Sequence, residues 1–517
     1  MKKARSLNQS KQPKYQYDVA LLMKQIAALP LKKRSTKGLI CLGITEDSTK
    51  VSSGELFIAR PGFKSDGRRY IHQAVAKGAI AILCEASGID QFVQAINCPV
   101  DIYKVKNLAN KLGTLGDMFY QHPSSELTIV GVTGTNGKTS CTQLMARVVE
   151  NLNKQVAVMG TLGNGSLNEL KDTGNTTTDA LTIQAQLADF RDNKVEFVSM
   201  EVSSHALKQG RVNGIKFNLA LFTNLTRDHL DYHGDMKNYA IAKKMLLAKD
   251  DIEAVIINAD DEIGLSFIND EAITAEKYSF SITPINARQS HNSVWTESVS
   301  FNETGIEAEI ATPWGSVDFK TTMIGQFNLS NCLAVLTCLG VLGYTPKDIA
   351  AQLATIPFVK GRMERFGGAE KPLVIVDYAH TPDALKHVLK AITPHTSHKL
   401  WVVFGCGGDR DRGKRPEMAA IAEEYADHLV FTSDNPRSET VEVIIKEMLQ
   451  GLQNPSNCEI EYDRKLAIRN SISRAVHGDV ILIAGKGHEQ FQKIGNQEIP
   501  HNDVEVVEQT LESGSWL

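Results

Sequence analysis

The chain has 517 residues, enough at roughly 100–200 residues each for about three domains, and its 42% hydrophobic, 22% charged composition is that of a globular protein with sizeable cores. A formal net charge of -4 gives no global basic footprint of a nucleic-acid binder, while leaving room for local cations that hold an anionic substrate. None of the eight cysteines forms a C-x-x-C pair or a zinc-like spacing, and no apolar run reaches the ~20 residues of a membrane span, so reduced thiols in a cytoplasmic protein are the expectation.

Residues 1–17 are basic and polar, lack the apolar stretch of a signal peptide, and read as a flexible tail. Residues 18–106 read as a small α/β unit with a strand over 54–59, a helix over 70–77 and a strand over 79–83. A second unit spans 107–356. It opens with a helix over 107–120, then a strand over 127–132, a glycine-rich loop and a helix over 138–152. Short apolar strands recur at 155–159, 196–200, 219–223 and 254–258. Strands alternating with helices imply a mostly parallel, covered sheet. The stretch 275–320, with alternating Thr, Val, Phe and Ile, predicts antiparallel hairpins. The third unit, 357–517, places strands at 373–377, 400–404, 428–432 and 480–484 between helices, a second doubly wound, Rossmann-like arrangement.

The loop Gly131-Val-Thr-Gly-Thr-Asn-Gly-Lys-Thr139 lies between a strand and a helix, where backbone N–H groups and a helix N-terminus cradle phosphate. Glycines allow close approach, Lys138 neutralises phosphate charge and the Thr139 hydroxyl suits Mg2+. The glycines stand at 131, 134 and 137, because Val132 occupies the first glycine position of the common G-x-x-x-x-G-K-[ST] loop. A second stretch, Gly408-Asp-Arg-Asp-Arg-Gly-Lys414, has that common spacing, but Arg415 replaces the hydroxyl residue and it is rejected as a nucleotide loop. Glu201 closes an apolar strand, and the segment Thr223-Asn-Leu-Thr-Arg-Asp-His-Leu-Asp-Tyr-His233 follows another, the position where open α/β sheets bind ligands. Taken singly, each Asp or His there reads as a capping or core residue. Together, behind one phosphate loop, they favour a Mg-nucleotide site.

These segments resemble the Mur ligase family of peptidoglycan synthesis. The resemblance is carried by Gly134-Thr-Asn-Gly-Lys-Thr139, Glu201, Asn224 with Asp228-His229, Gly325-Gln-Phe-Asn-Leu-Ser-Asn331, Gly361-Arg-Met-Glu364 and Asp377-Tyr-Ala-His-Thr-Pro382, in order across almost the whole chain. It implies three domains: an N-terminal UDP-binding domain, a central ATPase domain and a C-terminal Rossmann-like domain. It also implies an ATP-dependent ligase that activates a substrate carboxylate as an acyl phosphate, which an incoming amine then attacks. Within the family, Asp434-Asn-Pro-Arg437 points to meso-2,6-diaminopimelate as the amine and to UDP-N-acetylmuramoyl-L-alanyl-D-glutamate as the carboxylate. Lysine-adding relatives lack that arginine, and diaminopimelate carries a second carboxylate that calls for a bidentate cation.

The resemblance further implies the site residues. ATP falls to Gly134, Thr135, Asn136, Gly137, Lys138, Thr139, Ser140, Asn331, Arg362 and Asp377, and catalysis to Lys138, Glu201, His229 and Lys243. Mg2+ falls to Thr139, Glu201, His229 and a carbamylated Lys243 (N6-carboxylysine), an anion where a plain lysine would put a cation. The UDP-sugar dipeptide falls to Ser48, Asn175, Thr176, Thr177, Ser203, Gln209 and Arg211. Thr49 stands where the family has an arginine, and the Phe63–Ser65 loop lacks the usual His-Gln pair. Diaminopimelate falls to Arg410, Asp434, Asn435, Pro436, Arg437, Gly485 and Glu489. His380 receives no role. A monomer acting on small molecules, with no nucleic acid or membrane partner, is the expectation. Of the rivals, a lysine-adding relative is disfavoured by Arg437, and a folylpolyglutamate synthetase by the UDP-type N-terminal unit and Asn175–Thr177. A switch GTPase is disfavoured by the loop spacing and the lack of an [NT]-K-x-D motif. A non-catalytic scaffold is disfavoured by Lys138, Glu201, His229 and Lys243 standing together.

Overall fold

A computed structural model describes residues 14–32, 38–62, 65–93, 98–284, 292–302, 305–356, 359, 361–368 and 370–514. These form two compact units, one drawn from 1–128, 177–196 and 205–216, the other from 129–176, 197–204 and 217–517.

The first unit holds a five-stranded sheet in the order Leu29–Lys32, Asp101–Val105, Ala81–Glu85, Glu55–Ala59, Gly43–Thr45, parallel except at Leu29–Lys32. The helix Leu108–Phe119, expected to open the central unit, belongs here instead. Its Leu108, Leu112, Leu115, Met118 and Phe119 share one core with Val19, Leu22, Leu56 and Ile58, and Ala180 and Leu181 of the helix Ala180–Asp192 join them. The expected tail 1–17 is also shortened. Residues 1–13 lie outside the described residues, but Tyr15 stacks edge-on against Tyr120 at 5.2 Å and Lys14 pairs with Asp192 at 2.6 Å. Tyr17–Asp18 then pairs antiparallel with Ile40–Cys41. The tyrosine rings bury apolar area that a polar-tail reading overlooks.

The second unit is built on a ten-stranded sheet. Its order is Gly163–Gly165, Val156–Gly160, Phe197–Glu201, Thr128–Thr133, Leu219–Phe222, Ala254–Asn258, Glu276–Ser281, Ser293–Asn302, Gly305–Ala311, Val317–Thr321. The phosphate-loop strand Thr128–Thr133 therefore lies between strands reached by opposite turns of the chain, and their carboxyl ends open at one crevice. The stretch 275–320 is only partly the expected set of hairpins. Glu276–Ser281 pairs parallel on both sides, and antiparallel pairing begins between Ser293–Asn302 and Gly305–Ala311. Short apolar runs look alike in both kinds of sheet, so periodicity did not separate them.

The helix Gln326–Val341 is apolar almost all round and lies in the core with helix Lys138–Asn151 and the sheet, burying Leu329, Leu333, Leu336 and Leu339. Residues 364–500 add a six-stranded sheet in the order Glu364–Gly367, Leu373–Asp377, Val480–Ala484, Leu400–Phe404, His428–Phe431, Cys458–Ile460, parallel beyond its first pair. The helix Pro382–Ile392 starts cleanly because the Thr381 side chain accepts from Ala384 N and Pro382 needs no N–H at the first position. Leu333→Ala is expected to lower unfolding stability by about 2–5 kcal/mol, read by chemical denaturation. A change under ~1 kcal/mol would show that this helix does not organise the core.

Candidate active site

The phosphate loop is held by its neighbours rather than by itself. Asn224 Oδ1 accepts from Asn136 N at 2.9 Å, and Asn224 O accepts from Thr135 N at 2.9 Å. The Thr223 hydroxyl donates to Asn136 O at 2.6 Å. Gly134 has φ 148°, and a Cβ there would sit 1.8 Å from Thr223 Oγ1. Gly137 has φ 84°, and a Cβ there would sit 2.6 Å from Asn331 Oδ1, which places the predicted Asn331 against the loop. These two glycines are therefore fixed by backbone conformation and by close approach. Ser140 is buried in the first turn of the following helix.

Lys138 donates from Nζ to Gly134 O and Thr135 O, both at 2.8 Å. Burial lowers its pKa, while Glu201 and Asp228 act in the opposite sense. Thr139 Oγ1 donates to Glu201 Oε1 at 2.9 Å, and Glu201 also accepts from Thr161 N at 2.9 Å and Thr161 Oγ1 at 3.1 Å. Lys243 is buried on helix Met236–Leu247, with Nζ 4.5 Å from the Tyr239 ring centroid. Burial, and then the Lys138 cation, hold the Lys243 amine well below its ordinary pKa. Tyr239 connects the group: its hydroxyl lies 3.3 Å from Thr135 Oγ1, and its ring stands edge-on to His229 at 6.1 Å. His229 has φ 55° and places Nε2 3.4 Å from Asp228 Oδ2. Among the described residues no three His, Cys, Asp or Glu side chains gather as a ready-made metal site.

Arg362 reaches this site from the C-terminal sheet's side of the unit, donating from Nη2 to Thr139 Oγ1 at 3.2 Å, with its guanidinium 4.6 Å from the Tyr378 ring centroid. Its Nε is buried with no hydrogen-bond partner among the described residues, a polar atom that suits an anion. Asp377 ends the strand Leu373–Asp377 and accepts from Met363 N at 2.8 Å, and burial raises its pKa despite Arg362.

The predicted amine-binding residues gather at the carboxyl ends of the C-terminal strands. Asn435 Nδ2 donates to Glu489 Oε2 at 2.8 Å. Gly485 has φ 111°, and a Cβ there would meet Asp434 Oδ2 at 2.8 Å. Arg437, at φ 53° after Pro436, donates from Nη1 to Gly408 O at 2.7 Å, and burial, then the neighbouring Arg410 cation, lower its pKa. Arg410 donates only to its neighbour Asp409 O, at 3.3 Å. Among the described residues neither guanidinium forms an ion pair.

The predicted sugar-binding set is divided between the units. In the first, Arg211 donates to Thr177 O at 2.6 Å and to Gln209 Oε1 at 2.6 and 2.9 Å, and Ser48 donates to Gln73 Oε1 at 2.8 Å. In the second, Thr176 Oγ1 lies 3.1 Å from Thr161 Oγ1, Asn175 is exposed, and Ser203 follows the strand bearing Glu201. Phe63 and Lys64 lie outside the described residues.

Several residues that received no site role stand at the site. Asp228 is buried between His229, His380 at 3.9 Å and Lys414 at 4.0 Å. Burial alone would raise its carboxyl, but the three facing bases outweigh burial and hold it well below the carboxylate range. His380, given no role, is pushed down to about 4 by burial and then by Lys414. Lys414 lies inside the rejected second loop, and Arg415 beside it is fully buried against Glu439 and Glu447 at 2.7 and 2.6 Å. Asp383 accepts from Asn136 Nδ2 at 3.1 Å. Lys486, fully buried, donates to Asn435 Oδ1 at 3.0 Å and Glu489 Oε2 at 2.5 Å. Only a basic residue in an apolar stretch could have flagged Lys486.

Three family models match the chain: the Mur ligase middle domain over 132–339, the Mur ligase glutamate ligase domain over 361–487, and the Mur ligase family catalytic domain over 42–120. The chain is 41% identical over 479 residues to the UDP-N-acetylmuramoyl-L-alanyl-D-glutamate--2,6-diaminopimelate ligase of Coxiella burnetii, covering 93% of this chain and 97% of that one. It is 43% identical over 478 residues to the protein of the same name from Pseudomonas aeruginosa, covering 92% and 96%. A solved structure of a ligase of that name aligns with a TM-score of 0.67 at 33% identity over 96% of this chain and 99% of that one.

Gly134→Ala is expected to weaken nucleotide binding by about tenfold or more, since φ strain and the Thr223 contact each cost on the order of 1–3 kcal/mol. Calorimetric titration with ADP reads it, and unchanged affinity would show that the loop does not hold phosphate.

Proposed function

This chain belongs to the Mur ligase family, and on that premise we propose that it adds meso-2,6-diaminopimelate to UDP-N-acetylmuramoyl-L-alanyl-D-glutamate, consuming ATP and releasing ADP and phosphate. The observation that carries the choice of amine is the neighbouring pair Arg410 and Arg437, neither ion-paired among the described residues, at the strand ends where the amino acid is expected. Two guanidiniums without a carboxylate partner suit the second carboxylate that distinguishes diaminopimelate from lysine. Glu489 and Asp434 suit the ammonium group at the same end. The relatives named as diaminopimelate ligases, similar over more than nine-tenths of this chain, support the same reading.

In this reading a substrate carboxylate oxygen attacks the γ-phosphorus of ATP, and the bond to ADP breaks. The amine of diaminopimelate attacks the resulting acyl phosphate, and phosphate leaves from the tetrahedral intermediate as the amine loses its proton. Two anions must meet in the first step. Lys138 and Arg362 lower that repulsion and stabilise the transferring phosphoryl group. Asn331 and Asp377 bind the nucleotide, and contacts to the UDP-sugar dipeptide fall to Ser48, Thr177, Gln209 and Arg211 within the first unit and to Asn175, Thr176 and Ser203 within the second.

Mg2+ fits the oxygen donors present: the Thr139 hydroxyl adjoins the buried Glu201 carboxylate. His229 would complete the set with Lys243 as its carbamate. When bound, the ion supplies charge neutralisation at the phosphates. A Lys243 ammonium would not suit the ion, and burial, which lowers its pKa, favours the neutral amine that reacts with carbon dioxide. Among the described residues no helix is long and apolar enough to cross a membrane. Action as a cytoplasmic monomer is part of the proposal, checked by cell fractionation and light scattering.

The test is a product assay with ATP, Mg2+, the UDP-sugar dipeptide and either amine. A UDP-tripeptide from diaminopimelate, with little from lysine, is expected. No ATP-dependent product with either amine would defeat the ligase reading. Arg437→Ala is expected to raise the KM for diaminopimelate by about 10–100-fold, the worth of charge-assisted hydrogen bonds, while ATP binding changes less than about twofold. Full efficiency with diaminopimelate in that variant would remove Arg437 as the selecting residue.

A further inference from the structure

Arg464 and Asp503 lie outside every motif used so far, yet both side chains are fully withdrawn from solvent. Arg464 opens the helix Arg464–Arg474, and Asp503 opens the helix Asp503–Glu512. The guanidinium meets the carboxylate bidentately, Nε to Oδ1 at 2.8 Å and Nη2 to Oδ2 at 2.7 Å. His501 Nε2 holds Oδ1 from the other side at 2.8 Å. Burial alone would raise the Asp503 carboxyl, but Arg464 outweighs it and holds the carboxyl well below its ordinary range.

Two of the three remaining N–H donors of Arg464 go to backbone carbonyls. Nη1 donates to Ser433 O at 3.2 Å, and Nη2 donates to Ala484 O at 2.9 Å. Ser433 immediately precedes Asp434, and Ala484 immediately precedes Gly485. These carbonyls belong to the ends of the strands His428–Phe431 and Val480–Ala484, which are not neighbours, because Leu400–Phe404 lies between them. At about 4.8 Å per strand, no sheet hydrogen bond spans that gap. A planar guanidinium with its donors in a fixed fork does, and a lysine point charge cannot reproduce it. Gln492 strengthens the same junction, donating to Ser433 Oγ at 2.8 Å and Asp434 O at 2.9 Å.

We propose that the Arg464–Asp503 pair is a positioning element for amine selection, fixing the distance between the loop that carries Asp434–Arg437 and the loop that carries Gly485–Glu489. The proposal rests on the reading of those loops as the diaminopimelate site. Arg464 touches no substrate; it acts through the two carbonyls, and Asp503 orients it. A buried ion pair is a weak source of net stability, and apolar replacements of similar volume are often neutral. The pair's role in loop placement is therefore separable from any role in folding.

The experiment compares wild-type protein with the double variant Arg464→Met/Asp503→Leu and with Arg464→Lys. KM is measured for each of the three substrates, with thermal unfolding alongside. The double variant is expected to keep its melting temperature, to raise the KM for diaminopimelate at least tenfold, and to hold the KM values for ATP and the UDP-sugar dipeptide within twofold. Arg464→Lys is expected to show the same split to a smaller degree and carries the test if the double variant does not fold. An unchanged diaminopimelate KM, or three KM values rising together, overturns this inference alone. No diaminopimelate product from wild-type protein overturns it together with the reading on which it rests.

Discussion

Two lysines beside one phosphate loop, one of them fully withdrawn from water, set the constraint that the rest of the second unit answers. Lys243 is buried and Lys138 half-buried; desolvation lowers the pKa of both, and the Lys138 cation lowers that of Lys243 further. The protein treats them differently. Lys138 has two carbonyls of its own loop as acceptors. Lys243 has an aromatic face. A site that accepts a triphosphate and a carboxylate gains from the first cation. The proposed carbamate would remove the second and add an anion where Mg2+ is expected.

The same electrostatics draw residues from distant stretches of chain to one place. Asp228 is buried with bases on three sides, and two of them, His380 and Lys414, come from beyond residue 361. Arg362 and Asp383 meet the phosphate loop directly through Thr139 and Asn136. Each is weakly placed alone. Together they join the C-terminal strands to the phosphate loop within one compact unit, so the groups proposed to activate the carboxylate and to present the amine belong to the same unit. The loops themselves hang from buried polar networks: Asn224 and Thr223 under the phosphate loop, Arg415 with Glu439 and Glu447 under Gly407, Lys486 under Asn435.

What the sequence disclosed follows from which forces are local. The phosphate loop was legible because Gly134 and Gly137 answer constraints a few residues wide, and most parallel strands were legible as short apolar runs. Lys243 was not: its helix pattern reads as a solvated lysine, and only the family resemblance singled it out. Lys414 was hidden inside a stretch refused as a phosphate loop, since its partner Asp228 is far away in sequence. The N-terminal boundary was misjudged because Tyr15 and Tyr17 bury rings in a segment whose composition is polar. Helix Leu108–Phe119 packs in the first unit, which its sequence does not disclose because amphipathicity shows that a helix packs, not against what.

The proposed metal site requires Lys243 to carry a carboxyl group while Lys138 keeps its amine. Carbon-13 NMR of protein equilibrated with 13C-bicarbonate measures this directly. A carbamate carbon resonance in the wild-type protein, absent from Lys243→Arg and retained in Lys138→Arg, is the predicted result. No carbamate resonance, or one unaffected by replacing Lys243, would contradict it.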